Sequence, residues 1–444
     1  MRICKITNPT FLIFIALLFR FSIFGTSARD GEHWRQGRAA SLSVFEVKEK
    51  GYGGRSSHPR RQMATKQVLN SATFNVIDYG AKGDGHADDT KAFEATWTAA
   101  CKVESSTVMV PSGSVFLVGP ISFSGPTCQA NMIFQIDGKI MAATSSGAWK
   151  SDLLQWIEFT QLKGITIRGK GIIDGQGSSW WNTSPTYDPT AKDSTSISDD
   201  SEPRSKNSGT KPTALRFYGS TDVTVTGIAV QNSPQTHLKF DDCTNVQVSN
   251  FAASSPGDSP NTDGIHLQNS RDVVIYSTNL ACGDDCVSIQ TGCSNIYIHD
   301  VNCGPGHGIS IGGLGKDNTK ACVSNITVRD VKIQNTLTGV RIKTWQGGSG
   351  SVQQVMFANI QVSEVETPIM IDQYYCDEQI NSLPCTSVSL SNIQLKSVQE
   401  NHHLEEPFCW EAYGELKTAT VPPISCLQTG KPSKAGTLSD IDSC

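Results

Sequence analysis

The chain has 444 residues, 14 cysteines and a formal net charge of −5. That many cysteines argues against a reducing cytosolic setting, and the acidic balance argues against nucleic acid as a partner. Glycine is plentiful at 39 residues and aromatics make up only 8%, which suits many tight turns around a core of branched aliphatic side chains.

At the N-terminus, Arg2 and Lys5 precede an apolar run over residues 11–19, and small residues follow up to Ala28. This pattern predicts a secretory signal peptide over residues 1–28. Arg20 interrupts the apolar stretch, which argues against a membrane-spanning helix. Residues 29–72 have no strand periodicity and carry nine basic against four acidic residues, as a propeptide or flexible leader would. The body, residues 73–444, holds 25 basic and 38 acidic residues. An anionic ligand would therefore need a local basic patch.

The body opens on FNVIDYGAKGDG, a strand and glycine turn over residues 74–85. A helix is expected next, with Asp89 as N-cap and Phe93, Trp97, Ala100 and Cys101 on one face. A lone amphipathic helix ahead of a long strand array has the form of a cap over an open apolar end. Beyond it one apolar-x-apolar triplet recurs at Val223, Val246, Val273, Ile296, Ile326, Val355 and Val388, at intervals of 23 to 33 residues. A second strand follows in several repeats, at Ile228, Val331 and Ile360. A third begins at Leu238, Ile265, Val287, Ile309, Val340 and Ile369. About three strands per repeat with no intervening helices predict an all-β chain: a single-stranded, right-handed parallel β-helix with an N-terminal capping helix. A β-sandwich would need hairpins and would not keep each triplet at one phase of the repeat. The Ser-, Asp- and Pro-rich stretch over residues 184–212 breaks the period and is expected to be a loop.

Asp263, Asp285 and His307 are spaced 22 residues apart, each two residues before a third-strand triplet. Stacking the repeats brings them into one column, with Asp284 beside Asp285. Arg341 and Lys343 alternate with Val340 and Ile342 and so should point outward from the next coil. Single Asp and Asn residues in β-helix turns commonly serve as hydrogen-bonded ladders. An Asp pair beside another Asp is different, because like charges ~5 Å apart repel and are not gathered for stability alone. Grouped carboxylates in an open cleft suit glycoside hydrolysis. One acid protonates the leaving oxygen while another activates water, and the pair stand ~6.5–9.5 Å apart when the reaction inverts. Two outward cations in an acidic body would suit an acidic sugar.

Asn261-Thr262-Asp263, Asp284-Asp285, Gly306-His307-Gly308 and Arg341-Ile342-Lys343, in that order, resemble the motif set of glycoside hydrolase family 28, the polygalacturonases. Residues 74–85 and the GIIDGQGSSWW run at 171–181 are similar to its plant branch. The resemblance implies inverting hydrolysis of α-1,4 bonds in homogalacturonan. Asp284 would be the general acid, Asp263 with Asp285 the water-activating pair, and His307 a tuner of the acid. Arg341, Lys343 and Asn261 would hold substrate carboxylates, joined by a tyrosine at Tyr375 or its neighbour Tyr374. It further implies Cys286–Cys303 as a bridge beside the site. Cys376–Cys385 would close a short loop, and Cys101–Cys128 would tie down the cap. The expected protein is a secreted cell-wall enzyme, monomeric, without cofactor or metal, endo-acting with exo action as the alternative. Asn182 and Asn325 begin glycosylation sequons. A calcium-dependent pectate lyase or a non-catalytic wall-binding β-helix are the rivals.

Overall fold

The computed structural model describes residues 13–16, 72–144, 149, 155–181, 211–375, 385–398 and 406–430. The expected signal peptide (apart from residues 13–16), the leader up to residue 71, nearly all of the Ser-rich insertion, the Asn182 sequon and Cys376 lie outside the described residues. Cys385 is described and is not disulfide-bonded, so the expected Cys376–Cys385 bridge is not made; Cys322 is disulfide-bonded instead.

Every described strand pairing is parallel, and three columns of strands run the length of the body. In the first, Ile165, Val223, Val246, Val273, Ile296, Ile326 and Val355 stand side by side in register. In the second, Val230, Ala253, Leu280, Cys303, Ile333 and Val362 do the same. In the third, Leu215, Leu238, Ile265, Val287, Ile309, Val340 and Ile369 line up. This is a parallel β-helix, with the triplets read from the sequence on shared rungs. Val388 is the exception. Its strand, Cys385–Leu390, is separated from Phe357 by the backbone of the short strand Ile13–Ala16, which pairs with both.

Alternation explains the core. Val273 and Ile275 are buried inside the coil while the residues between them face out, and each such side chain contributes ~1.5–3 kcal/mol by leaving water. Bends are set by left-handed residues directly before the first-column triplets. Asp222, Asn245, Asp272, Asn295 and Asn325 all have φ between +56° and +58°, a conformation that Asn and Asp tolerate because their short side chains hydrogen-bond locally. Those side chains form a ladder: Asn245 donates to Asp222 at 2.5 Å, Asn295 to Asp272 at 2.8 Å, and Asn325 to Asn295 at 2.8 Å. The Asn325 sequon is therefore a rung of this ladder.

The cap helix Thr90–Ala100 buries Phe93, Trp97 and Ala100 against the first coils. Trp97 packs on Phe123 and Phe159, at ring separations of 5.0 and 5.8 Å. From Phe159 a stack runs inside the coil through Phe217 to Phe240 at 5.3 and 5.2 Å. Asp89 sits at the helix N-terminus, but its carboxylate does not cap the helix. It accepts instead from the backbone amides of Lys82 and Gly83 at 2.6 and 3.2 Å, pinning the preceding glycine turn. Cys101–Cys128 and Cys286–Cys303 are disulfides as expected, and Cys409–Cys426 is a further one.

Candidate active site

The turns entering three successive third-column strands carry the column. Thr262 is buried and anchors two of these turns at once. Its hydroxyl accepts from the Gly283 amide at 2.8 Å and meets the Ser259 hydroxyl at 2.7 Å. Gly283 has to be glycine, since a Cβ there would overlap the Ser259 carbonyl. The main chain stitches the rungs together. The Gly264 amide donates to the Asp285 carbonyl at 2.9 Å, Cys286 to Gly308 at 2.8 Å, and His307 to Asp284 at 2.8 Å. Asp263, Asp284, Asp285 and His307 are thus brought together on consecutive coils.

Their surroundings differ. Asp285 is the deepest, at 2% exposure. One of its oxygens accepts from Arg341 Nη2 at 2.7 Å and from the Ser310 hydroxyl at 2.6 Å, and the other lies 3.3 Å from Lys343 Nζ. Arg341 Nε also donates to Ser310 Oγ at 2.7 Å, closing the network. Burial alone would raise the Asp285 carboxyl, but Arg341, Lys343 and Ser310 outweigh it and hold the group well below the usual carboxylate range. In return Asp285 overcomes the burial of Arg341 and Lys343 and raises both above their ordinary values. The two cations point outward from the coil as the alternation required, yet they are only 5% and 3% exposed and already face a carboxylate of the protein. Sequence reasoning foresaw the cations but not that pairing.

Asp284 faces the other way. Its Oδ1 accepts from the Asp285 amide at 2.8 Å and lies 3.0 Å from His307 Nδ1. Asp263 Oδ2 meets His266 Nδ1 at 2.9 Å. Burial, reinforced by Lys239 and Lys343, pushes His266 down to about 3. The ring is therefore neutral, and it donates to Asp263 as a hydrogen bond rather than an ion pair. Behind Asp263, the His237 ring Nδ1 donates to the Asp263 carbonyl at 2.8 Å while Nε2 accepts from the Ser255 hydroxyl at 2.8 Å. Burial pushes His237 down too, so this ring is a neutral strut. Neither histidine was singled out in the sequence. Both lie next to a third-strand triplet residue, which was the available signal.

Asn261 is half-buried at the mouth of the same turn, in the left-handed region at φ +57°. Of the two tyrosines, it is Tyr375 that reaches the cluster. Its hydroxyl is 3.4 Å from Lys343 Nζ, and its ring packs edge-on against Trp345 at 5.4 Å. Tyr374 instead donates its backbone amide to Asp372 at 3.0 Å. Among the described residues, Asp284, Asp285 and His307 each offer a ligand atom within 4.8 Å of the others. Arg341 and Lys343 already occupy the Asp285 oxygens, and their fixed charge opposes a cation there. The arrangement provides one carboxyl against an imidazole, a second held ionised by two cations and a hydroxyl, and a third on the adjacent rung. Such a set suits acid/base cleavage of a glycosidic bond.

The fold is that of a parallel β-helix, and the class the protein belongs to is that of the glycosidases. The pattern of the glycosyl hydrolases family 28 matches residues 101–408, and the chain belongs to that family. It is 39% identical to a polygalacturonase of Cryptomeria japonica over 83% of this chain, and spans 66% of that relative's length. With a probable polygalacturonase of Arabidopsis thaliana the identity is 41%, over 82% of each chain. A solved polygalacturonase from Erwinia carotovora ssp. carotovora has the same fold at a TM-score of 0.58 and 22% identity, over 80% of this chain and 90% of that one. No helix among the described residues is long and apolar enough to cross a membrane.

Proposed function

We propose that the protein is a pectin-degrading polygalacturonase that hydrolyses the α-1,4-galacturonosyl bonds of homogalacturonan with inversion, as a secreted enzyme of the plant cell wall. The observation that carries this reading is the division of labour between adjacent carboxylates. Among the described residues Asp284 meets His307 at 3.0 Å and hydrogen-bonds no arginine or lysine, whereas Asp285 is locked to Arg341 at 2.7 Å.

In this mechanism Asp284 gives its proton to the glycosidic oxygen as the bond to the anomeric carbon breaks. Water attacks that carbon from the opposite face and loses its proton to the Asp263–Asp285 pair. Within the pair the roles separate. Asp285, with both oxygens committed, is a weak base and serves to orient the water. Asp263, hydrogen-bonded to the neutral His266, takes the proton. Asp263 then releases this proton to solvent, and His307 passes one from solvent to Asp284 for the next cycle. Arg341, Lys343 and Tyr375, with Asn261 at the opposite mouth, face the sugar carboxylates. The catalytic domain is residues 73–444, preceded by a signal peptide and a removable leader, and the enzyme acts as a monomer.

Endo action is the favoured mode, with exo the alternative. The test is product analysis on polygalacturonic acid with chelator present. A rapid fall in polymer size ahead of monomer release marks endo attack, and monomer release from the outset marks exo. An unsaturated product, or activity only with calcium, would make the protein a lyase instead. Binding without any new reducing ends would make it a wall-binding β-helix.

A further inference from the structure

Along the third column, the outward side chains one residue after each triplet start run in register through Arg216, Lys239, His266, Ser288, Ser310 and Arg341. Lys239 and Arg341 are four rungs apart, ~19 Å at the usual strand spacing. Asp263, Asp285 and His307 enter the rungs between them. One row of the surface thus places a cation on each side of the acid column.

The cations in this row are not equivalent. Arg216 is held by Glu158 at 2.8 Å and Asp241 at 2.6 Å, and Arg341 by Asp285 at 2.7 Å. Lys239 is half-buried and makes no hydrogen bond or ion pair among the described residues. Asp241, two residues along the same strand, is taken by Arg216. Burial pushes the Lys239 ammonium down from the ordinary lysine range; Asp241 and Asp263 oppose this and Arg216 adds to it. An ammonium partly removed from water and left without a paired anion is a costly arrangement for a fold to keep. A ligand that brings the anion removes that cost.

We propose that Lys239 binds the carboxylate of a galacturonate unit on the N-terminal side of the cleft, so that the polymer is gripped by a cation on either side of the bond to be cut. This rests on the polygalacturonase reading above. The competing role is a purely electrostatic one, in which Lys239 sets the charge state of Asp263 one coil away and touches no substrate. The two differ in what they change: ground-state binding in the first, turnover and its pH dependence in the second.

The experiment compares wild type, K239M and K239R on de-esterified polygalacturonate and on highly methyl-esterified pectin, with pH profiles and thermal melts. A charge-assisted contact predicts that K239M raises KM on polygalacturonate by about 10- to 100-fold. Its kcat pH profile should stay in place, and K239R should recover most of the binding. K239M should also lose part of the preference for the de-esterified polymer. The melting temperature should not fall, because the variant removes an unpaired charge. Should K239M not fold, K239Q carries the same comparison. An unchanged KM, or a lower kcat with a displaced pH profile at constant KM, overturns the proposal. Wild type without activity on either polymer would overturn the enzymatic reading itself, a result that needs no variant.

Discussion

Asp284 and Asp285 are neighbours in the chain with opposite surroundings, and substituting each should give a different loss. Asp284→Asn keeps the shape and the acceptor for the Asp285 amide but cannot deliver a proton. Turnover should fall by ~10²–10⁴ with the melting temperature and pectate binding retained; residual activity above about a tenth of wild type would place the acid elsewhere. Arg341→Met instead leaves Asp285 buried without its closest cation, with Lys343 still 3.3 Å away. Breaking a buried pair in this way costs ~3–5 kcal/mol, which urea unfolding at neutral pH would read. Asp285 is depressed in the folded state, so its contribution is present above its unfolded value of ~3.9 and is lost as pH falls through the folded value. Lys343 is raised, so its contribution holds below ~10.4 and is lost as pH rises through its folded value. The deficit of the variant should accordingly be flat across neutral pH and narrow below about pH 4. The sequence placed these residues in one column by counting alone, since a 22-residue spacing fixes the rung. It did not show depth, because depth at Asp285 is created by an arginine 56 positions away folding back over it.

The turn that presents His307 depends on its glycines. Gly308 has φ +82°, and a Cβ there would sit against the Thr338 and Gly339 carbonyls of the next coil. Gly308→Ala is expected to cost more than ~1 kcal/mol and to move His307 away from Asp284. The change would appear as a lowered melting temperature together with lost activity, and a variant with wild-type values for both would show that the turn is not rigidly set. The strands were easily legible in the sequence, since a period-two pattern repeated on every coil carries many independent copies of one signal. Features that occur once were harder to see. Asp89 serves as turn anchor and not as helix cap, since its carboxylate accepts from two backbone amides of the glycine turn. Cys409–Cys426 lies beyond the last regular repeats, where no period marks which cysteines meet.

For the whole molecule, residues 29–72 carry no triplet and have the opposite charge balance to the body. A chain beginning at Ala72 is expected to fold and to hydrolyse pectate at the rate of the longer form. If the shortened chain is insoluble while the full-length secreted protein is active, the leader is required for folding. The cap helix at one end supplies the aromatic plug of Phe93 and Trp97, so the N-terminal coils do not need the leader to cover them.

The register described above has a kinetic consequence. In the body each rung touches the one before and the one after, which makes the chain a row of weakly communicating units rather than a single all-or-none core. Opening should start at the ends and travel inward like a zipper. The rungs that carry Asp263 to Lys343 have neighbours on both sides and should be the last to let go. Hydrogen exchange would then show amides of the strands from 265 to 311 protected longest, with protection declining toward 416. Mild denaturant should fray the C-terminal rungs while the carboxylate column still works. Uniform exchange along the axis would mean instead that the rungs melt together.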